Sequence, residues 1–284
     1  MRWQSERRSN NVEDRRGISV RGGAIGGGAI IIAIVATLMG APPSVVRSIL
    51  GSGGDQVQEG TQPVDESPEA QQRVDFVKVV LGSTEDVWSA QLPKQTGAEY
   101  AQPRLVLFQG AVESACGLNS AAVGPFYCPP DQKVYLDISF FTELARRFGA
   151  PGDFAQAYVV GHEVGHHVQN LLGISERSLA ARQRLGGAEA NRVSVMTELQ
   201  ADCLAGVWAH HANKTRSLLE PGDVEEAMRA AAAIGDDTLQ SASRGQVVPE
   251  SFTHGSAEQR QHWLKTGLET GRVDACDTFK TARL

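Results

Sequence analysis

The sequence predicts a mainly helical α+β fold preceded by a single transmembrane helix. Of the 284 residues, 41% are hydrophobic and 21% are charged, which is typical of a globular protein rather than of a disordered chain. Apolar residues recur at helical spacing through most of the chain beyond residue 69, and two segments near the middle show strand patterns. A run of 25 residues without charge, 22–46, precedes them. The net charge of −6 argues against a generic nucleic-acid-binding protein, so we expect no nucleic-acid partner.

The charge-free run is predicted to be a membrane anchor, because a helix needs roughly 20 apolar residues to span a bilayer. Residues 1–21 contain six arginines against three acidic residues, whereas only Arg47 follows the run within about 20 residues. This asymmetry predicts a single-pass protein of the cell membrane, with a cytoplasmic N-terminus and the bulk of the chain outside. A cleaved signal peptide is disfavoured because Pro42 and Pro43 make a poor cleavage site, and a buried core helix would leave the arginines unexplained.

The segment after the run is polar and rich in Gly, Ser, Gln and Pro, which predicts a flexible linker. A folded domain is expected from residue 69 onward. The predicted organisation is therefore a basic cytoplasmic tail (1–21), a transmembrane anchor (22–46), a linker (47–68) and one domain (69–284).

The helices of the domain are predicted from apolar residues three and four apart and from capping residues. Ser83 is placed to cap a short helix, and Asp153 is placed to cap a long one that Gly173 closes. A breaker cluster at 149–152 ends the preceding helix, and Gly186–Gly187 opens a further long helix. The predicted helices are 71–81, 83–88, 140–148, 153–172, 189–211, 223–234 and 258–268.

Two strands are predicted, at 104–108 and 133–138. In the second, Val134, Leu136 and Ile138 alternate with residues that face the other way. This strand is a candidate edge strand that could pair with an extended peptide, with a core strand that binds nothing as the alternative.

Residues 161–166 include the sequence His-Glu-x-x-His on a predicted helix. Residues four apart share a helix face, so His162 and His166 can bind one ion. Catalytic zinc sites use three protein ligands and one water, whose pKa falls to about 7. Glu163 is close enough to take the proton from that water and to pass it to a leaving amine.

The apolar surroundings of this motif disfavour an exposed polar patch. Val159, Val160 and Val164 flank it, so the two histidines are expected to be partly buried and to need a partner. Gly161 and Gly165 each cost about 1 kcal/mol relative to alanine in a helix. They are expected to let another element approach closely, or simply to serve helix packing.

A third metal ligand has to come from elsewhere in the chain. Glu198 is the best candidate because it lies in the middle of the next strong helix pattern. Asp202 shares its face, so one carboxylate can bind the metal while the other orients a ligand imidazole, with an ordinary surface pair as the alternative. His167 is predicted to be structural or exposed, and His210 and His211 to complement a helix dipole. The full set of candidates is His167, Glu198, Asp202, His210, His211, His254 and His262.

Three motifs in this order resemble a bacterial family of neutral zinc metallopeptidases: His-Glu-Val-Gly-His-His at 162–167, Glu-Leu-Gln-Ala-Asp-Cys at 198–203 and Thr-His-Gly-Ser-Ala-Glu-Gln-Arg at 253–260. The resemblance covers nearly the whole chain. It implies a zincin-like fold of the glutamate-ligand type, with His162, His166 and Glu198 on one zinc ion. It also implies that Glu163 is the catalyst.

The last motif also looks like that of membrane-bound zinc endopeptidases whose third-ligand helix carries Glu-x-x-x-Asp. That resemblance implies that His254 helps to hold the oxyanion and that Arg260 anchors a carboxylate such as Asp202. From the residues alone, His254 is a loop histidine ahead of a helix that Ser256 can cap, and a lone histidine has many structural uses.

The chain has four cysteines, too few to build a disulfide scaffold of this size, and no Cys-x-x-Cys pair that would indicate a structural zinc cluster. Predicted export favours disulfides, which four cysteines can form in three ways. We expect Cys116 to pair with Cys128 and Cys203 with Cys276. The alternative for Cys203 is a buried free thiol.

The sequence therefore predicts a membrane-anchored zinc metalloendopeptidase that carries one Zn²⁺ and acts on peptide or protein substrates. A scaffold that contains a metal and binds a membrane or envelope protein without cleaving it is the main alternative. The intact Glu163 argues against that alternative, because a scaffold has no need of this carboxylate. Another zinc hydrolase, such as an amidase, would keep the same metal site.

Overall fold

The computed structural model describes residues 1–21 and 58–280, which contain eight α-helices and eight short strands. The helices are α1 (Pro68–Thr96), α2 (Ser139–Arg146), α3 (Asp153–Leu171), α4 (Ile174–Leu185), α5 (Gly187–Arg216), α6 (Asp223–Ala233), α7 (Asp236–Arg244) and α8 (Ala257–Thr270). The strands are β1 (Val12–Asp14), β2 (Ile18–Arg21), β3 (Gln58–Thr61), β4 (Arg104–Phe108), β5 (Ala111–Ser114), β6 (Gly117–Ser120), β7 (Phe126–Cys128) and β8 (Lys133–Asp137). The mainly helical α+β class is confirmed.

Helix α1 is one continuous helix of 29 residues where two short helices were predicted. Ser67 caps it, because its hydroxyl accepts a hydrogen bond from the Ala70 N–H at 3.2 Å. Ser83 does not start a helix. Its Oγ accepts a hydrogen bond from Trp208 Nε1 at 3.1 Å, and both side chains are buried. The predicted cap was wrong because the helix continues through Ser83, and its hydroxyl is hydrogen-bonded to Trp208 of α5 instead.

The main sheet has the strand order β1-β4-β8-β7. Strands β1, β4 and β8 are parallel, with Val106 opposite Tyr135, and β7 pairs antiparallel with β8. Of the two alternatives given for this segment, the edge strand is wrong, because β7 pairs with the side of β8 that β4 leaves free. Within the described residues, β7 is the strand at this border of the sheet.

The first residues of the chain pack on the same body as the long helices. Strand β1 belongs to the main sheet, and the Trp3 ring packs edge-to-face on Phe76 at 5.3 Å. The amino group of Met1 donates hydrogen bonds to Asp153 Oδ1 at 2.7 Å and to Asp223 Oδ1 at 3.3 Å. Asp153 is the first residue of α3, and its side chain binds this amino group instead of capping the helix as predicted.

The predicted transmembrane helix and the predicted single-pass location with a cytoplasmic N-terminus are wrong. Across residues 1–21 and 58–280, no helix has the length and the apolar character that a membrane crossing requires. The proposed span at 22–46 lies outside the described residues. Strands β2 and β3 pair antiparallel with Arg21 opposite Gln58, so these two residues lie side by side, whereas a single-pass anchor would separate them across a bilayer. A membrane partner is therefore not supported.

Part of the predicted linker, residues 58–61, forms β3, and α1 begins at Pro68. The division of the chain at residues 21, 46 and 68 stays a prediction.

Both predicted disulfides are present, Cys116–Cys128 and Cys203–Cys276. Cys203 is therefore not a free thiol. The second disulfide joins α5 to the short 3₁₀ turn Val273–Cys276 near the C-terminus.

Helices α3 and α5 cross closely at small residues. A Cβ atom added to Gly165 would lie 2.8 Å from the carbonyl oxygen of Ala201, and one added to Gly161 would lie 2.8 Å from the Trp208 ring. The two glycines thus allow the close approach that the sequence predicted. This approach places Glu198 and the residues that follow it opposite the histidines of α3.

We expect Gly165→Ala to lower the free energy of unfolding by about 1–3 kcal/mol, because the added methyl group meets backbone atoms of α5 that cannot swing aside. The same displacement would move Glu198 away from the two histidines and weaken zinc binding. Thermal unfolding of the metal-free chain and competition with a chelator measure the two effects. A variant as stable as the parent, with unchanged zinc affinity, would contradict the prediction.

Candidate metal centre

Three side chains from α3 and α5 meet at one point. The Nε2 atoms of His162 and His166 are 3.1 Å apart, and Glu198 Oε2 lies 3.1 Å from the first and 3.5 Å from the second. Around a tetrahedral zinc ion with ligands at about 2.0–2.1 Å, neighbouring ligand atoms are about 3.3–3.4 Å apart. The three donor atoms therefore have the mutual spacing of a metal-ligand set, and this group could hold a metal ion.

Hydrogen bonds decide which ring nitrogens face the cluster. His162 Nδ1 lies 2.7 Å from Asp202 Oδ1, and His166 Nδ1 lies 2.9 Å from Gln169 Oε1. Because both partners are acceptors, each Nδ1 carries a proton and each Nε2 presents a lone pair. Two such lone pairs and the Glu198 carboxylate repel one another at this distance unless a cation lies between them. The residues therefore fit a zinc ion.

The electrostatics of the cluster favour positive charge at this point. Burial alone would lower the pKa of His162, but Asp202 and Glu198 outweigh it and raise that pKa to about 10. Burial would raise the pKa of Glu198, but the charges and hydrogen bonds of His166 and His162 hold it well below its usual value. A metal ion supplies the same charge that these protons supply.

Asp202 lies fully buried behind His162. It accepts hydrogen bonds from Arg260 Nε and Nη2, both at 2.9 Å, and from the Tyr158 hydroxyl at 2.6 Å. Burial would raise its pKa, but Arg260 and His162 lower the pKa to about 2. The bidentate ion pair occupies both carboxylate oxygens of Asp202, so Glu198 is the carboxylate of α5 that remains for the candidate metal position.

The Glu163 side chain lies beside the ligand cluster. The residue is only 8% exposed, yet its carboxyl group accepts no hydrogen bond from any protein group within the described residues. Burial raises its pKa. A nearly buried carboxyl group that has no hydrogen-bond partner among the described residues, next to a candidate metal position, is available to a water molecule.

His254 lies in the loop before α8, with a side chain that is 52% exposed. Asp236, at the start of α7, holds this loop through its Oδ2 atom. This oxygen accepts hydrogen bonds from the backbone N–H groups of Thr253 and His254, both at 2.7 Å, and of Gly255 at 3.1 Å. Its Oδ1 lies 3.2 Å from His254 Nδ1. Desolvation would lower the pKa of His254, but Asp236 and the more distant Glu198 outweigh it and raise the pKa. These carboxylates therefore favour the imidazolium form of His254.

We expect Asp236→Asn to lower the pKa of His254, because the carboxylate that stabilises its imidazolium form is removed. The loss of charge-assisted hydrogen bonds to the loop should also cost about 1–3 kcal/mol of stability. Titration of the His254 ring followed by NMR measures the first effect, and urea denaturation measures the second. An unchanged pKa of His254 would mean that Asp236 does not govern this histidine.

The remaining histidines lie away from the cluster. His167 is buried and lies 2.6 Å from a backbone carbonyl, which agrees with the structural role predicted for it. His210 and His211 each lie 2.8 Å from a carbonyl at the C-terminal end of α8. Their predicted role at a helix end was wrong because α5 continues to Arg216. His262 is exposed on α8.

A second group of carboxylates, on Asp153, Asp223 and Glu226, also has oxygen atoms within 4.8 Å of one another. The amino group of Met1 contacts two of these residues and already supplies a positive charge there. We therefore assign no metal to this group.

Sequence reasoning missed three kinds of residue at the candidate centre. Tyr158 lies one helical turn before His162, and its spacing of four was the available signal. Asp236 follows Gly235 at a helix start, which is a pattern typical of helix N-termini. Gln169 lies three residues after His166, a spacing that places both on one helix face, but its bonds to Thr197 and Gln200 depend on α5.

Comparison with known proteins gives a family match over almost the whole chain. The family model described as "Putative neutral zinc metallopeptidase" matches residues 1–279. The chain is 45% identical over 288 residues to "Uncharacterized protein YpfJ" of Escherichia coli (strain K12), covering 98% of this chain and 99% of that protein. It is 46% identical over 217 residues to "Uncharacterized protein Rv2575" of Mycobacterium tuberculosis (strain ATCC 25618 / H37Rv), covering 72% of this chain and 71% of that protein. No solved structure gives a significant match.

Proposed function

The chain belongs to the family of neutral zinc metallopeptidases, and we propose that it is an endopeptidase whose single zinc ion is held by His162, His166 and Glu198. The observation that carries the proposal is this ligand cluster together with the neighbouring carboxyl group of Glu163, which accepts no hydrogen bond within the described residues. A ligand cluster alone would serve a structural metal equally well. A hydrolase also needs a carboxyl group beside the metal that is available to take a proton from water. A scaffold has no need of such a group.

The proposed chemistry divides among the protein groups as follows. A zinc ion in such a site supplies Lewis acidity, which polarises a carbonyl group and acidifies water. Glu163 accepts a proton from the attacking water and delivers it to the amine that leaves. His254, held by Asp236, donates a hydrogen bond to the oxygen on which negative charge develops.

The buried groups behind the ligands hold them in place. Asp202 keeps the Nδ1 proton on His162, and Arg260 keeps Asp202 in position through two hydrogen bonds. Neither group touches a substrate in this proposal, so both are positioning residues. Family membership points to peptides or proteins as substrates.

The test is proteolysis of an unstructured protein by the purified full chain, loaded with one zinc ion per molecule. The full chain is needed because residues 12–14 form a strand of the main sheet, and a fragment starting at residue 69 would lack it. We expect new peptide termini by mass spectrometry, and none after the metal is removed with a chelator. Parallel assays with ester and cell-wall amide substrates separate a peptidase from another zinc hydrolase.

Cleavage that survives metal removal would indicate a contaminating protease and would contradict the proposal. A chain that binds zinc one to one and cleaves none of these substrates would favour the scaffold alternative.

A further inference from the structure

Two buried glutamines connect the candidate ligand His166 to the C-terminal segment. Gln169 Oε1 accepts the Nδ1 proton of His166 at 2.9 Å. Gln169 Nε2 donates to the carbonyl oxygen of Thr197 at 2.7 Å and to Gln200 Oε1 at 3.0 Å. Gln200 Nε2 in turn donates to the carbonyl oxygen of Cys276 at 2.9 Å. We call this chain of hydrogen bonds, from His166 through Gln169 and Gln200 to Cys276, the glutamine relay.

The relay has only one workable orientation. Both donors on Gln169 Nε2 are used on oxygen acceptors, so turning this amide over would place its oxygen against two other oxygens. The oxygen of Gln169 must therefore face His166, which keeps the proton on Nδ1 and the lone pair on Nε2. Both glutamines are nearly or fully buried, so water does not compete readily for these bonds.

The far end of the relay is covalently fixed. Cys276 is bonded to Cys203 of α5, three residues beyond Gln200 on the same helix. Thr278 Oγ1 donates to the Met196 carbonyl oxygen at 2.6 Å, one turn before Gln200. The segment that carries the Cys276 carbonyl is thus attached to α5 on both sides of Gln200.

We propose that the C-terminal segment, fixed by the Cys203–Cys276 disulfide, positions His166 for metal binding through Gln200 and Gln169. The proposal rests on the zinc site of the proposed function. The catalytic chemistry proposed above uses neither this disulfide nor the two glutamines, and positioning His166 would be their role. The other disulfide, Cys116–Cys128, joins a loop to strand β7 and has no place in the relay.

The experiment measures zinc affinity of the full chain by competition with a chromophoric chelator. It also records the visible absorption of the Co²⁺-substituted protein, which reports the geometry of the metal ligands. Loss of a group that orients a metal ligand costs about 10–100-fold in metal affinity. We therefore expect Gln200→Leu to weaken zinc binding at least about 10-fold and to change the Co²⁺ spectrum.

Gln240→Leu is the matched control for this variant. Gln240 is also a buried glutamine, and its side chain donates one hydrogen bond to Ser251 and accepts one from the N–H of Val248. It lies outside the relay. We expect it to lower thermal stability and to leave zinc affinity and the Co²⁺ spectrum unchanged. This comparison separates positioning of His166 from a general loss of stability.

The disulfides allow a second comparison. Replacing both Cys203 and Cys276 by alanine should weaken zinc binding, whereas replacing both Cys116 and Cys128 should not. Should the first double variant fail to fold, Gln200→Leu still tests the relay because it keeps both disulfides.

Unchanged zinc affinity and an unchanged Co²⁺ spectrum in Gln200→Leu would overturn the proposal while leaving the proposed function intact. A parent chain that binds no zinc would instead overturn the proposed function, and this inference with it.

Discussion

Glu163→Gln is expected to bind zinc as the parent does and to hydrolyse peptides about 10²–10⁴-fold more slowly. The amide keeps the size of the side chain but cannot take a proton from water. Because the Glu163 carboxyl group accepts no hydrogen bond from the described protein groups, the substitution breaks no hydrogen bond among them. The loss should therefore appear in kcat with little change in stability.

The measurement is the cleavage rate of parent and variant at equal zinc content, checked by metal analysis of the same samples. Glu198→Gln is the contrasting variant, because it alters a candidate ligand and is expected to lose zinc and activity together. Equal cleavage by Glu163→Gln and the parent would assign the proton transfer to another group.

Arg260→Met is expected to destabilise the protein by about 3–5 kcal/mol, because it leaves the carboxylate of Asp202 buried without its cation. Asp202 has no solvent exposure, and Arg260 supplies two of its hydrogen bonds. In the parent, the lowered pKa of Asp202 stabilises the folded chain at every pH above the ordinary pKa of an aspartate. That contribution is lost as the pH falls toward about 2. In the variant, the pKa should rise, so the deficit should shrink as the pH falls and Asp202 becomes protonated.

Urea denaturation at neutral and mildly acidic pH measures this deficit. The double variant Asp202→Leu with Arg260→Met is the informative control, because replacing both members of a buried ion pair is far less costly than removing one. We expect it to recover most of the stability but to bind zinc less tightly, since His162 loses the acceptor for its Nδ1 proton. A single Arg260→Met variant within 1 kcal/mol of the parent, on the scale of an exposed ion pair, would mean that Tyr158 and His162 suffice to stabilise the buried carboxylate of Asp202.

Local sequence patterns predicted much of the candidate metal centre. The spacing of His162 and His166 places them on one helix face wherever the helix packs, and the same holds for Glu198 and Asp202. The apolar residues around both motifs predicted that these faces would be buried, which the structure bears out for the two long helices. Ser256 caps α8 together with Gln259, as its position before an apolar pattern predicted.

The wrong prediction of a membrane anchor rested on the charge-free run and on the arginines that precede it. The pairing of β1 with β4 joins residues 12–14 to residues 105–107, and no local pattern reports a contact across that distance along the chain. The arginines also have other uses: Arg7 donates hydrogen bonds to Glu85 and to Asp86 of α1.

The sequence by itself determined which helices carry the candidate metal ligands and which face each side chain occupies, because helical periodicity is local. It also indicated the two disulfides. Only the tertiary structure decided which hydrogen bonds hold those side chains in place. These are the bond from Tyr158 to Asp202, the bond between Asp236 and His254, and the glutamine relay that begins at His166. The physical reason is that a buried donor or acceptor takes whichever partner the packed chain brings to it. Tyr158 lies 44 residues before Asp202, and Gln169 lies 31 residues before Gln200.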